Sequence, residues 1–150
     1  PIAWGEHRWN DKSCPYEECA KGWLWVRTQN LTNRSDSSFI SNIDYASTIL
    51  DYAGLSSPYA LNGTIIKPLL ENPSTPWRTQ LLLESITYPG VTGYYAVRDQ
   101  NYLYVEYETG ERELYDMTVD PYQMENQYNN PLYASVIATL QANLNQLKIQ

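Results

Sequence analysis

The sequence predicts an α+β chain in which a four-stranded antiparallel sheet packs against a C-terminal helix, preceded by an edge segment of a larger α/β domain. Three observations carry this. From about Gln80 the hydrophobic pattern has period two, in four short runs separated by Pro89-Gly90, Asp99-Gln100 and Thr109-Gly110. After these runs an apolar stripe of helical period continues to the end of the chain. Before them stand a loop, a single short strand and one capped helix, which by themselves look like one flank of a larger sheet.

The elements follow in order. A loop carries His7 and Lys12, a strand is expected near Leu24–Arg27, and a polar loop runs from Thr28 to Ser38. The helix lies in Ser41–Leu55, read SNIDYASTILDYAGL. Ser41 can cap it with Asp44 three positions on, while Ile43, Ala46, Leu50 and Ala53 recur at helical spacing. Gly54 sits where a left-handed terminator is wanted. The strands are expected at Leu81–Glu84, Tyr94–Arg98, Asn101–Tyr107 and Arg112–Tyr115. On the third, Tyr102, Tyr104 and Glu106 face one way and Leu103, Val105 and Tyr107 the other, so one face packs while the other stays wet. The last helix is capped by Asn130, takes Pro131 in its first turn, and presents Tyr133, Val136, Ile137, Leu140, Leu144 and Leu147 as its apolar stripe.

Composition bounds the function. The chain has 150 residues, 43% of them hydrophobic, enough to bury a core. Ten basic residues against seventeen acidic ones give a net charge of -7, which argues against a nucleic-acid partner. No run has the length of a membrane span, and none reads as a signal peptide. Three sequons, Asn30-Leu31-Thr32, Asn33-Arg34-Ser35 and Asn62-Gly63-Thr64, would permit glycosylation in a secretory pathway, whereas Asn72-Pro73-Ser74 is excluded by its proline. Cys14 and Cys19 lack the further ligands of a zinc site, leaving a local disulfide and two free thiols both open.

The specific signal is a series of motifs in order: Gly5-Glu6-His7 through Lys12 to Tyr16-Glu17-Glu18, then Ser41–Leu55, Trp77-Arg78, Val97-Arg98 with Tyr102-Leu103-Tyr104, Gly110-Glu111-Arg112-Glu113-Leu114-Tyr115-Asp116-Met117, and Asp120-Pro121. This series resembles the C-terminal half of the sulfatases, formylglycine-dependent hydrolases of the alkaline phosphatase superfamily that include the arylsulfatases. Ser47 stands where these have proline in the helix, Lys21-Gly22-Trp23 where they usually have Arg-x-Pro, and Leu103 where they have lysine. The resemblance divides the chain into residues 1–75, the C-terminal flank of the catalytic α/β domain, and residues 76–150, the antiparallel-sheet subdomain.

What the resemblance implies is an incomplete active site. A sulfatase has an N-terminal half with a paired Asp-Asp for the metal and a Cys or Ser in C/S-x-P-S/A-R that is oxidised to formylglycine, and further metal ligands just upstream of the position of Gly5. Neither half-site is in this sequence. Ser74-Thr75-Pro76-Trp77-Arg78 fits the bare S-x-P-x-R pattern, but Trp77 fills the place of a small residue and Leu81-Leu82-Leu83 follows where Leu-Thr-Gly is expected. Pro73 and Pro76 more simply mark a loop.

Lys12 matches the lysine whose ammonium contacts the sulfate oxygens, against an ordinary solvated loop lysine. His7, the sole histidine, is the candidate for binding substrate or protonating the leaving group, against a loop histidine that only hydrogen-bonds. Fourteen tyrosines and five tryptophans invite a sugar-stacking reading, although most fall on strands or beside prolines, where aromatics stiffen a sheet surface. Asp44 and Asp51 share a helix face without forming a credible glycosidase pair. The expectation is therefore the C-terminal part of a sulfate-ester hydrolase, inactive alone. Calcium and formylglycine reside in the rest of the enzyme, the substrate is a sulfated small molecule or glycan, and by family habit the destination is secreted, periplasmic or lysosomal. The alternative is a non-catalytic module binding glycans or protein through its aromatic surface.

Overall fold

The computed structural model describes residues 1–9, 12–29 and 31–149. It divides into two compact units, one formed by Pro1–Leu24 with Gln80–Gln150 and one by Trp25–Thr79.

The first unit is built on four antiparallel strands in sequential order, β1 (Gln80–Ser85), β2 (Tyr94–Asp99), β3 (Tyr102–Tyr107) and β4 (Arg112–Asp116). Their registers are those of a meander: Leu82 opposes Val97, Val97 opposes Tyr104, and Tyr104 opposes Leu114. Tight turns allow this. Gly110 between β3 and β4 has φ 98°, a left-handed value that side chains rarely adopt, and its N–H closes the turn on the Tyr107 carbonyl at 3.0 Å. The four strands and the C-terminal helix expected from the pattern are present, with ends shifted by one residue at most positions.

One sheet face meets the C-terminal helix, here Ala134–Leu147. Val97, Tyr104 and Leu114 pack there with Leu140 and Leu144, flanked by Val136, Ile137, Leu147 and Tyr133. Asn130 accepts a hydrogen bond from the Leu132 N–H at 3.1 Å, but the turn it caps is a 3-10 turn, Pro131–Tyr133, and the α-helix starts one residue later.

The opposite face is not wet. Ala96, Leu103, Val105, Tyr94 and Tyr115 are buried against Ala3, Cys14, Tyr16 and Cys19 of the N-terminal segment. The alternation in β3 therefore separates two dry interfaces rather than a dry one and a wet one, because a segment distant in sequence lies over the second. That segment contains a short helix, α1 (Glu17–Ala20), clipped by a Cys14–Cys19 disulfide with Cα atoms 5.5 Å apart. The first two dozen residues thus go with the sheet, and residues 25–79 form the other unit.

In the second unit, helix α2 (Asp44–Ala53) ends at Gly54 with φ 66° as its sequence demands, the Leu55 N–H reaching back to the Leu50 carbonyl at 3.0 Å. Ser41 does not cap it with its side chain. Instead the Asp44 carboxylate accepts the Ser41 N–H at 2.7 Å, the returning half of a capping box. The buried face of α2 is polar, consisting of Asp44, Ser47 and Thr48, while Ile43, Ile49 and Leu55 of the expected apolar stripe and its neighbours are exposed. Thr48 donates to the Asp44 carbonyl at 2.7 Å and accepts the Ile66 N–H at 3.0 Å, and Ser47 donates to the Gly63 carbonyl at 2.9 Å. Gly63 has to be glycine, since a Cβ there would overlap the Ile43 carbonyl. A second helix, α3 (Lys67–Glu71), has its last carbonyls, Leu69 and Leu70, capped by the Arg34 guanidinium at 2.7 and 2.8 Å.

The strand expected near Leu24–Arg27 does not form. Trp23 and Trp25 are 91% and 88% exposed, and among the described residues no strand pairs with this stretch, so its backbone has no ladder to join. Asn33 and Asn62 of the sequons are exposed, and Asn30 lies outside the described residues.

Candidate functional site

His7 sits in a single 3-10 turn, Glu6–Arg8, preceded by Gly5. The chain doubles back tightly: Gly5, His7 and Arg8 have φ of 118°, 50° and 63°, and the Gly5 N–H closes the loop on the Trp9 carbonyl at 2.8 Å. Two consecutive non-glycine residues in the left-handed region are costly, so something must hold them. The imidazole lies flat on the Tyr16 ring, with centroids 3.9 Å apart and planes 21° from parallel. Its Nε2 faces the Glu18 carboxylate at 3.8 Å, an ion pair when the ring is protonated.

Tyr16 is held in turn. Its hydroxyl donates to both carboxylate oxygens of Glu113 on β4, each at 3.2 Å, and the Tyr107 hydroxyl donates to the same carboxylate at 3.3 Å. Tyr115 meets the Tyr16 ring edge-on at 5.9 Å. Burial pushes the hydroxyls of Tyr16, Tyr107 and Tyr115 far above the ordinary tyrosine range, with the charge of Glu113 adding to the effect, so all three stay neutral. Burial also raises Glu113 above the usual carboxylate value, a rise that the tyrosine hydrogen bonds moderate.

Glu17, next along, is fixed from two sides. Arg98 on β2 donates from Nε to its carboxylate at 2.8 Å, and the buried Gln123 accepts its N–H at 2.9 Å. Gln123 reaches it from a left-handed backbone position, φ 57°. Residues of three motifs, together with Gln123, therefore meet at the turn Tyr16-Glu17-Glu18. In the second unit another two meet, as Arg78 donates to the fully buried Asp44 at 2.8 Å and Thr64 N–H binds the same oxygen at 2.8 Å.

Lys12 is exposed and opens the stretch that enters the disulfide loop, whose next residue, Ser13, is hydrogen-bonded to the Tyr88 hydroxyl. The structure brings His7 to Tyr16 and Glu18. Among the described residues no three His, Cys, Asp or Glu side chains gather as metal ligands. Ser74 is exposed in a turn whose N–H binds the Asn72 side chain at 3.0 Å, a local Asx turn of the kind that asparagine and proline predict. Sequence reasoning singled out His7 and Lys12 and passed over Glu113, Arg98, Glu18 and Gln123 as roles. The first two were visible as members of the motifs, but nothing in the spacing showed that they meet Tyr16 and Glu17. No signal marked Gln123.

Comparison with known proteins decides the family. The family description "N-sulphoglucosamine sulphohydrolase, C-terminal" matches residues 5–150. The chain is a sulfatase C-terminal domain, and its family belongs to the alkaline phosphatase superfamily. It is 38% identical over 140 residues to an N-acetylglucosamine-6-O-sulfatase of Bacteroides thetaiotaomicron, a match covering 87% of this chain and 25% of that protein. It is 25% identical over 134 residues to an arylsulfatase of Clostridium perfringens, covering 86% of the chain and 28% of the relative. The solved structure of BT4656 in complex with its substrate D-glucosamine-2-N,6-O-disulfate superposes with a TM-score of 0.85 at 32% identity, covering 97% of this chain and 31% of that one. This sulfatase domain thus spans about a quarter to a third of the length of the relatives it matches. No helix among its described residues is long and apolar enough to cross a membrane.

Proposed function

We propose that this sulfatase domain is one part of an enzyme that hydrolyses sulfate esters, to which it contributes the substrate-side residues Lys12 and His7. The observation that carries the reading is the construction around His7, a strained turn held by a stacked tyrosine, a facing carboxylate and a disulfide-clipped loop. Such preorganisation has no evident purpose in a surface loop and suits a group that must meet a substrate in one orientation. The substrate class is a sulfated amino sugar, a reading supported by the likeness to an N-acetylglucosamine-6-O-sulfatase and to BT4656 in complex with D-glucosamine-2-N,6-O-disulfate.

The chemistry divides accordingly. Calcium and formylglycine would be held by the rest of the enzyme. What this chain supplies is charge and proton placement. The Lys12 ammonium would hold sulfate oxygens as negative charge moves from sulfur to the leaving oxygen. The His7 imidazole, beside Glu18, would bind the substrate or deliver a proton to that oxygen. The domain alone would be inactive, would be one flank of the catalytic domain over residues 1–75 and a sheet subdomain over 76–150, and would work in a secreted, periplasmic or lysosomal setting, to which the disulfide is suited.

The test is turnover of a chromogenic aryl sulfate and of a 6-sulfated glucosamine. The 150-residue chain should show none above background, with or without calcium. Joined to the N-terminal portion of a sulfatase, with formylglycine verified, it should turn over, and Lys12→Ala should lose roughly a hundredfold in rate, about 3 kcal/mol of transition-state stabilisation. Lys12→Arg should recover only part of this, since a planar guanidinium does not replace a point charge. Wild-type turnover by Lys12→Ala would remove Lys12 from the mechanism. Turnover by the isolated chain that is lost on Ser74→Ala would reverse the assignment of Ser74.

A further inference from the structure

The Glu113 carboxylate is caged by Tyr16, Tyr107 and Tyr115. Its three tyrosines are pinned to the sheet, and one of them, Tyr16, lays the face of its ring on His7. The hydroxyl end of Tyr16 is fixed by two hydrogen bonds to one carboxylate, and its flank by the edge of Tyr115. Its backbone is held between Cys14 and the Gln123-capped Glu17. The ring thus has no freedom to follow His7. His7 in contrast sits on a turn of unfavourable backbone geometry, with the Glu18 carboxylate facing its Nε2.

We propose that Tyr16, anchored by Glu113, is the positioning residue that fixes the imidazole plane of His7. The order of causation runs from sheet to site. β4 places Glu113, Glu113 aims the Tyr16 ring, and the ring face selects one orientation of the imidazole, with Nε2 toward Glu18. Stacking determines the plane and the carboxylate determines the edge, so two contacts of different kinds fix both angles of a side chain that has only two rotatable bonds. Neither Tyr16 nor Glu113 takes part in bond making. The catalytic consequence of this placement rests on the reading of His7 given above, whereas the placement itself does not.

Because His7 is the sole histidine, its ring protons give one assignable set of NMR signals. A proton held over an aromatic face is shifted upfield by the ring current. In the 150-residue chain the His7 ring protons should show that displacement and nuclear Overhauser contacts to the Tyr16 ring protons, an observation needing no variant. Tyr16→Leu should abolish the displacement. Tyr16→Phe and Glu113→Gln keep a ring but loosen its anchor, and should leave a reduced displacement. The amide spectrum of β2 and β3 reports whether each variant retains its sheet, and the wild-type Overhauser contacts decide the matter if Tyr16→Leu does not fold. Absence of those contacts, an undisplaced His7 in the wild-type chain, or full displacement in both anchor variants would overturn the proposal.

In the extended enzyme, Tyr16→Leu should lower kcat about tenfold with little change in KM, and should cost nothing further in a His7→Ala background. A slow His7→Ala enzyme beside a wild-type Tyr16→Leu enzyme would overturn the positioning role. Wild-type turnover by His7→Ala would instead remove His7 from the reaction, leaving the NMR result to decide the role of Tyr16.

Discussion

The two units are held by opposite means. In the sheet unit apolar side chains cover both faces, with Tyr104, Leu114 and Leu144 on one side and Leu103, Val105 and Cys14 on the other. In the unit of α2 and α3 the helix turns its polar residues inward, around Asp44, and leaves Ile49 67% exposed. Burial of apolar surface is additive and tolerant of small changes, whereas a buried carboxylate depends on every one of its donors. The sheet unit should therefore lose stability by degrees, and the helix unit should fail at a single residue.

The sharpest way to break this contrast is Asp44→Ala. It removes the acceptor for Ser41 N–H, Thr64 N–H and Arg78, and strands a guanidinium that is itself largely buried, so a loss of about 4 kcal/mol is expected, confined to the second unit. Hydrogen exchange should show residues 41–66 losing protection while β1–β4 keep theirs. If the strands lose protection equally, the units are not independent. Next in size, Leu144→Ala empties a fully buried site between the C-terminal helix and the sheet and should cost about 3 kcal/mol in chemical denaturation monitored at the sheet. Reduction of Cys14–Cys19, or the Cys14→Ser and Cys19→Ser double substitution, frees a loop of sequence separation 5 and should cost about 2 kcal/mol. This loss should fall on the N-terminal cover of the sheet, leaving the face that meets the C-terminal helix protected.

The smallest expected effect is a dependence on pH. Burial raises the Glu113 carboxyl above the ordinary glutamate value of about 4.5, so the folded state binds its proton more tightly than the unfolded state does. Its contribution is fully present below about pH 4.5 and is lost as pH rises through the raised value. Glu113→Gln should therefore gain stability relative to wild type as pH rises above that value. Asp116 runs the other way. Burial raises it, but its hydrogen bonds with Thr118 and Tyr133 outweigh that and lower it below 3.8, so its contribution is present above that value and lost on further acidification. A stability ratio of Glu113→Gln to wild type that is flat from pH 4 to 8 would show that the tyrosine hydrogen bonds cancel the burial.

The sheet was legible because its information is local. Each strand alternates, each turn carries glycine, proline or asparagine, and Gly54 and Gly110 sit where left-handed backbone is needed. The C-terminal helix was legible from the spacing of Val136, Leu140 and Leu144. What failed was long-range. Nothing within the alternation of β3 reveals that a segment 90 residues upstream covers Leu103 and Val105, and a period-two pattern cannot distinguish a sheet covered once from one covered twice. The helix α2 misled for a related reason: its apolar stripe is real, but within its unit the contacts are made by Asp44, Ser47 and Thr48. The strand near Leu24–Arg27 read as a strand because its residues suit one, yet a strand is defined by a neighbour. In the site, motif resemblance supplied His7 and Lys12, while the tyrosine cage required knowing which side chains meet across 97 positions.

The pairs that join the motifs also constrain how such a chain can change over generations. Arg78 answers Asp44, Arg98 answers Glu17, and Glu113 answers Tyr16, each across a wide stretch of sequence and each at least half removed from water. A lineage that loses one member alone passes through a protein with a charge or a donor stranded in the interior, which selection on folding would remove. Both members can depart together, or neither. Descendants of this domain are therefore expected to drift freely between the motifs while inheriting these six residues as three couples, so that positions 44 and 78, 17 and 98, and 16 and 113 vary in step wherever they vary at all.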